Sequence, residues 1–469
     1  MNVLFWLPPW AAHGDPIFFR NCLRKHLAPQ ANLLLNAGWS VDFVLPEFLS
    51  SERSLLDNNI RVIEFSIERQ IAAFGDLSDP SVTLYAAPTE TQLFKIRANL
   101  APILREDYDF VLLWETPVPF LEEMYPDALI VHQMPGAFSR PPYPHTVTFD
   151  PVGLYKKGAL YNFAEAIQQG VGVERDDFSL ARDFVAKVRD SITAIQPFDR
   201  KSLDPKQRFL SLALLPLQVS AHYSFQADTP YANQMEFLLD VLRNTDPTVG
   251  VVVTQYVTPR VADTVLNKEV LPALQKAYPN LIYREEFDRV SSVSQYLLPL
   301  VDQVITCSSS LGLQALAWVR QVRVPQATFL APFSTPEKLA DGMDESERAL
   351  NTLSFILGKH QPLASAVVSD QGFLTGLLSE MLRRKRAGAK GLDLFPSFDR
   401  VDPTYRQRLL AAFTTERAER DLSRSGERWA ARQSELAKFR RAVADPDVEA
   451  ITFDVFDTLI KRPTESALQ

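Results

Sequence analysis

The sequence predicts an α/β protein of two Rossmann-like domains facing one another across a cleft, followed by a helical C-terminal extension. Three observations carry this expectation. Short apolar strands alternate with helical patterns up to about residue 135, the alternation begins again near Phe209, and beyond about residue 335 the strands give way to helices. Such alternation implies a parallel sheet covered by helices. Two such units in tandem place a ligand cleft at the carboxyl ends of both sheets.

In the first unit the apolar runs at 2–7, 40–45, 60–64, 109–114 and 128–132 read as strands, with helices over 16–37 and 90–106. In the second, strands are expected at 209–216, 249–254, 280–283, 302–306 and 321–324, with helices over 231–243, 261–277, 291–299 and 310–319. Arg383-Arg384-Lys385-Arg386, followed by Gly388 and Gly391, reads as an exposed junction. Residues 404–443 read as charged helix, either a solvated connector with i,i+4 ion pairs or a docking surface for a membrane or partner. The expected boundaries are 1–200 and 201–335 for the two domains, 336–445 for a helical extension and linker, and 446–469 for the start of a further domain.

A chain of 469 residues, 46% of them apolar, can fill two or three cores. The formal net charge of −8 argues against nucleic acid as a partner and leaves room for local basic patches that hold a phosphorylated ligand. Cys22 and Cys307 are too few for a disulfide framework or a zinc site, which fits a reducing compartment. The first strand has no basic region before it and meets Pro8-Pro9, and no apolar run approaches membrane-spanning length. A cytoplasmic, soluble protein is expected.

The most informative internal stretch is "VDQVITCSSSLGLQALAW". A buried strand runs into Ser308, Ser309 and Ser310, then Gly312 and an apolar helix. Hydroxyls and free N–H groups at a helix start make an anion site, and Gly312 permits close approach; serine capping alone explains the pattern equally well. In "AAHGDP", after the first strand, His13 and Asp15 reach the cleft, although Asp15 ahead of Pro16 also reads as a helix cap. Glu115 ends the strand 111–114 and serves as a base or as a cap. Acid–base chemistry on a phosphorylated ligand in such a cleft needs the leaving phosphate neutralised and a base for the attacking group. Asp15, Glu115 and Asp150 are the three candidates for that base. Without an Asp-x-Asp metal motif in the first two domains, helix dipole and Arg/Lys/His take the place of Mg²⁺, and no metal or cofactor is expected there. His132 lies in an apolar strand and reads as a core histidine. His222, beside Gln218 at a strand end, reads as donor contact or loop packing. "GVGV" at 170–173 lacks the third glycine and preceding strand of a dinucleotide motif.

Three stretches together resemble the capsule-polysaccharide biosynthesis glycosyltransferases that include the retaining β-Kdo transferases. Residues 306–316 are similar to that family's T-x-[ST]-S-x-G-x-E-A-L, with Gln314 at the acidic position. "PGAFSRPPYPHTVTFDPVGLY" resembles its E-D-G-F-x-R-S segment and the motif that follows, matching Gly136, Arg140, Asp150, Gly153 and Tyr155. "LLPLQVSAHYSFQADTPY" is similar to its strand ending in P-L-Q, which carries Gln218. The resemblance spans roughly residues 110–335. It implies a GT-B architecture with the acceptor in the first domain and the donor in the second, where Gln218, Ser308, Ser309, Ser310, Gly312 and Gln314 would hold it. His13, Gly136 and Arg140 would complete the cleft. The departures limit what transfers: His222 stands where the family has an acid, Met134-Pro135 replace Glu-Asp, and Thr254-Gln255-Tyr256 replace Lys-x-His-Pro. The resemblance therefore implies the clan and not the sugar.

The chain ends in "EAITFDVFDTLIKRPTESALQ". An apolar strand followed by Asp454, Asp457 and Thr458 resembles the opening motif of haloacid-dehalogenase-type phosphatases. That family would use Asp454 as nucleophile and Asp457 as general acid/base, with Mg²⁺ bridging carboxylate and phosphate. Its later motifs need well over a hundred further residues, so the expectation is a piece of a longer polypeptide without phosphatase activity.

The expected function is a glycosyltransferase that elongates a bacterial cell-surface polysaccharide, capsule or lipopolysaccharide O-antigen. It would use a nucleotide sugar or sugar pyrophosphate and a lipid-linked glycan acceptor, at the inner face of the membrane with peripheral association. The alternatives are a phospho-sugar transferase, such as a phosphoribosyl transferase whose product the fused phosphatase dephosphorylates, and a degenerate module that binds glycan without catalysis.

Overall fold

The computed structural model describes residues 1–10, 16–255, 265–336 and 344–424. His13, Asp15, Asp454 and Asp457 lie outside the described residues, as does the charged stretch after 424.

The first sheet contains β1 (Asn2–Trp6), β2 (Ser40–Pro46), β3 (Arg61–Phe65), β4 (Phe110–Trp114), β5 (Leu129–Pro135) and β6 (Val147–Asp150) in the order β3-β2-β1-β4-β5-β6. All pairings are parallel except β5 with β6. The second sheet contains β7 (Ser211–Pro216), β8 (Val249–Thr254), β9 (Leu281–Ile282), β10 (Gln303–Ile305) and β11 (Gln321–Arg323), parallel throughout in the order β11-β10-β7-β8-β9. Counted within each unit, both sheets run 3-2-1-4-5, the doubly wound order with its switch point between the first and fourth strands. Two Rossmann-like domains facing a shared cleft constitute the GT-B architecture.

The side-chain period of 2 explains why the strands read as unbroken apolar runs. Val3 and Phe5 of β1 and Phe110, Leu112 and Trp114 of β4 enter one core, whereas Leu4, Trp6, Val111 and Leu113 enter another on the opposite face. A third core lies within the second domain.

Residues 344–413 depart from the expected extension and linker. Phe355, Ile356 and Leu357, then Leu374, Leu377 and Leu378 of the helix Gln371–Arg386, and Phe398, Tyr405 and Phe413 are buried in the same core as β1 and β4. These helices form a layer of the first domain. The basic run 383–386 is no free junction either: it forms the last turn of that helix. Arg383 and Arg384 bind Glu380, the Lys385 ammonium donates to the carbonyls of Pro126 and Ala128, and Arg386 pairs with Asp109. Its charges satisfy carboxylates and strand-end carbonyls, and nothing about it marks a domain boundary.

The expected helix 16–37 is present as Pro16–Cys22 and Ala28–Asn36 with a π-helical turn at Leu23–Leu27 between them. That turn sends three consecutive basic residues in three directions. Arg24, itself exposed, pairs with the buried Glu52, Lys25 faces the cleft, and His26 turns inward to stack on Trp114 with centroids 4.2 Å apart. Burial, then the Lys25 charge, push the His26 imidazole down to about 4.

Two predictions follow from this packing. Leu378→Ala leaves a cavity in the first domain's core and should cost about 2–5 kcal/mol, read as a lower urea midpoint; a midpoint unchanged within 0.5 kcal/mol (about the scale of a surface substitution) would make these helices peripheral. His26 is neutral when folded and protonated when unfolded between its ordinary value and about 4. Its contribution is therefore complete above the unfolded value near 6.5 and lost as pH falls through that window. His26→Phe should keep the stack and flatten the fall in stability between pH 6.5 and 4 relative to the parent chain.

Candidate functional site

The carboxyl ends of the central strands of both sheets open onto one cleft of about 790 Å³. Glu115 follows β4, Gln218 and His222 follow β7, and the serine turn 308–310 follows β10; all six residues line the cleft. These are the switch points of the two sheets, where a parallel α/β layer leaves helix starts and strand ends unfilled.

At the centre, three side chains meet across the domain boundary. Glu115 Oε1 lies 2.7 Å from the Tyr155 hydroxyl and 3.1 Å from His222 Nε2, and that nitrogen is 3.1 Å from the same hydroxyl. His222 caps the helix Tyr223–Asp228, with Nδ1 accepting from the Ser224 N–H at 3.2 Å and facing Ser224 Oγ at 2.8 Å. An Nδ1 that accepts leaves the proton of the neutral ring on Nε2, directed at Glu115. Burial, then the Glu115 charge, hold the Tyr155 phenol well above its ordinary value, so it stays a proton donor to the carboxylate. Glu115 and Tyr155 both have left-handed backbones, at φ 41° and 52°. Non-glycine residues in this region cost energy and persist where the surroundings hold them.

Asp150, a candidate base in the sequence, has a different task. Its Oδ1 accepts from the N–H groups of Val152 and Gly153, and its Oδ2 from the N–H of Ala159 at 2.7 Å and from His360 Nε2 at 3.0 Å. The residue is 2% exposed. A carboxylate holding four donors organises its loop, and taking a substrate proton would break that set. Its effect reaches the site through Tyr155, which lies inside the loop it closes.

The donor-side residues divide in the same way. Ser308, Ser309 and Ser310 line the cleft, with Ser309 Oγ accepting from the Leu311 N–H at 3.3 Å and the Ser309 N–H donating to Thr306 Oγ1 at 3.0 Å. The turn is thus partly self-capped. Gly312 faces away: an added Cβ would lie 3.2 Å from Thr306 Cγ2 and 3.4 Å from a Leu330 methyl, so this glycine lets the helix approach the sheet, not a ligand. Gln314 is fully buried, and its Nε2 donates to the Ala137 carbonyl at 2.6 Å, a tie between the domains in place of a donor contact. Gly136 is similarly fixed by packing, since a Cβ there would fall 2.3 Å from Thr146 Oγ1. Gln218 and Arg140 line the cleft. His132 is buried in β5, as a core histidine should be.

Several further residues line the cleft. Lys25 and His145 join Arg140 on the first-domain wall, and Arg289 with Ser291, Ser292 and Ser294 lines the second. The small polar run "DRVSSVS" after β9 was the available signal for the latter group. Lys25 and His145 carried none, because a π-helical turn and a proline-rich connection bring them to the cleft. Among the described residues, no group of three or more His, Cys, Asp or Glu side chains is arranged to hold a metal ion. No described helix is long and apolar enough to cross a membrane.

No family model matches the chain, and no curated protein matches it by sequence. Among solved structures, it is similar to Thermosulfurimonas dismutans KpsC, a β-Kdo 2,7 transferase, with a TM-score of 0.37 and 13% identity over 60% of this chain and 88% of that one. The β-Kdo 2,4 transferase of the same organism's KpsC gives 0.35 and 18% over 53% and 80%. Anabaena Alr3699/HepE in complex with UDP gives 0.27 and 12% over 93% and 100%. At these scores the similarities carry no argument of their own, and the fold class rests on the order and direction of the strands in the two sheets.

Proposed function

We propose that the chain is a glycosyltransferase that extends a bacterial cell-surface polysaccharide from an activated sugar, binding the donor on the second domain and the acceptor glycan on the first. The observation that carries this reading is the Glu115–Tyr155–His222 junction, a carboxylate from one domain and an imidazole from the other, met at the mouths of both sheets. Glu115 accepts the acceptor hydroxyl's proton as general base. His222 Nε2–H and the Tyr155 hydroxyl hold its carboxylate in place, so His222 acts through Glu115 and does not itself touch the sugar. The donor's phosphate lies against the serine turn 308–310, with Gln218 and Arg289 beside it, and these donors offset the charge of the leaving oxygen. Bond cleavage at the anomeric carbon passes its electron pair to that phosphate oxygen, and the acceptor oxygen forms the new glycosidic bond.

A second reading is favoured by Lys25 and Arg140, which line the cleft without carboxylate partners among the described residues. In it the donor is a phosphorylated sugar pyrophosphate, the product keeps its phosphate, and a phosphatase domain of the kind the tail resembles removes it. Both readings use the same base and the same serine turn.

Two measurements test the proposal. Glu115→Gln should lower turnover by roughly 10²-fold or more, the usual scale for losing a general base, while donor affinity is retained; a parental rate would remove Glu115 from the reaction. Joint replacement of Ser309 and Ser310 by Ala should weaken donor binding and leave the melting temperature nearly unchanged. A thermal-shift screen of nucleotide sugars and sugar pyrophosphates, run on the parent and this pair variant, identifies the donor and checks its place together; an identical shift in both would move the donor elsewhere.

A further inference from the structure

The ionic groups of the cleft are unevenly satisfied. Of its carboxylates, Glu115 is held by Tyr155 and His222, Asp150 by four donors, and Asp288 by the Tyr283 hydroxyl at 2.6 Å; Asp421 lies 4.0 Å from the Arg417 guanidinium. The cations are not matched in this way. Among the described residues, the side chains of Lys25 and Arg140 have neither an ion-pair nor a hydrogen-bond partner, although both line the cleft and the chain as a whole carries a net charge of −8.

Lys25, Arg140 and His145 reach one region of the first-domain wall from separate elements. Lys25 projects from the π-helical turn Leu23–Leu27, and Arg140 and His145 stand on the connection between β5 and β6. Their backbones are fixed: the Arg140 carbonyl accepts from the Tyr143 N–H, and the His145 carbonyl from the Ala364 N–H. The groups sense one another and the reacting centre. The buried Cys22 thiol feels Glu115, Lys25 and Arg140 together, and the His145 imidazole is held below its ordinary value by desolvation, then by Arg417 and Arg140, with Asp421 opposing and Lys25 adding to them. Gathering like charges at a cleft wall raises the folded state's energy unless an anion joins them, and it raises the local concentration of such an anion. The serine turn supplies donors for the leaving phosphate on the second domain, so these first-domain cations remain for another group.

We infer that Lys25, Arg140 and His145 form a second oxyanion subsite, on the first-domain wall near Glu115, that takes a phosphate or carboxylate borne by the sugar substrate itself. The inference rests on the glycosyl-transfer reading and narrows it to substrates with an acidic group besides the leaving phosphate. The same chemistry has two sources, a phosphate on the transferred sugar or an acid group on the acceptor glycan. A charged oxygen in this subsite would anchor the sugar ring beside Glu115.

The test is equilibrium binding, which needs no turnover. Ribose 5-phosphate and glucose 6-phosphate are titrated against ribose and glucose, and an oligogalacturonate against its carboxyl-reduced form, by calorimetry at low and high salt. The parent chain should bind at least one acidic probe about tenfold or more tightly than its neutral counterpart, and less tightly at high salt. The joint Lys25→Met, Arg140→Met variant should lose about tenfold in that affinity at an unchanged melting temperature, and Lys25→Arg should retain it. Acidic-probe affinity lost in the Ser309→Ala, Ser310→Ala variant and kept in the Lys25, Arg140 double variant would place the anion at the serine turn and overturn the subsite. Response confined to sugar phosphates assigns the anion to the donor, and response confined to the uronate assigns it to the acceptor. Equal binding of acidic and neutral probes, no binding of any acidic probe, or full acidic-probe affinity in the Lys25, Arg140 double variant each overturns the subsite. None of these outcomes depends on the rate of Glu115→Gln, so a failed subsite and a failed transferase reading are told apart.

Discussion

The carboxylate of Asp150 is the constraint on which the cleft depends. It closes the loop 150–159 through three backbone N–H groups and ties that loop to His360, on the π-helical turn Ile356–His360 of the C-terminal layer. A buried charge is costly unless donors surround it, and here the surrounding donors are the backbone of the loop itself. The left-handed conformation of Tyr155 is held by this closure, and with it the aim of the hydroxyl at Glu115. The Glu115 carboxylate after β4 thus meets a hydroxyl whose position is fixed by a second carboxylate, at the end of β6.

The domain boundary is held by more than the central junction. Asp228 of the second domain accepts from the Tyr85 hydroxyl at 2.9 Å and pairs with Lys156 at 3.3 Å, while Gln314 of the second domain donates to the Ala137 carbonyl. Lys156 and Tyr155 are neighbours in sequence, so one short turn carries both a tie between domains and a contact to the site. Separating the domains would expose these polar groups together, and partial opening would leave them desolvated without partners. The cleft therefore has a defined closed geometry.

The strands of both sheets were legible because buried parallel strands are continuous apolar runs, and each expected strand overlaps an observed one. What escaped was written in polar residues. β6 contains Thr148 and Asp150, both buried, within a proline-rich stretch that reads as a loop. The helix Arg175–Ala194 has its buried positions spaced as a helix requires, at Leu180, Ala181, Phe184, Val188 and Ile192, but its many charges obscure them. In the site, Glu115, Gln218 and the serine turn could be placed because strand ends are visible in a sequence. Asp150, Gly312 and Gln314 match motif positions, yet the structure engages them in packing and loop closure. Motif letters report that a residue is constrained, and only coordinates show by what. Tyr155 also stands at a motif position, and its contact with Glu115 comes from a left-handed backbone that the motif letter does not state.

The C-terminal layer has one more consequence, at the margin of the first sheet. β6 is an edge strand, and its outer side does not face solvent along its start: the Val147 N–H donates to the Pro362 carbonyl, the Ala364 N–H to the His145 carbonyl, and Thr146 bridges antiparallel to Leu363. An uncovered strand edge is a template for pairing with another chain. Here the segment 362–364 occupies that template from within the same molecule, so a chain that lost its late helices would gain an adhesive margin as well as losing core. A segment more than two hundred residues later in the sequence thus shields the margin of the first sheet from self-association.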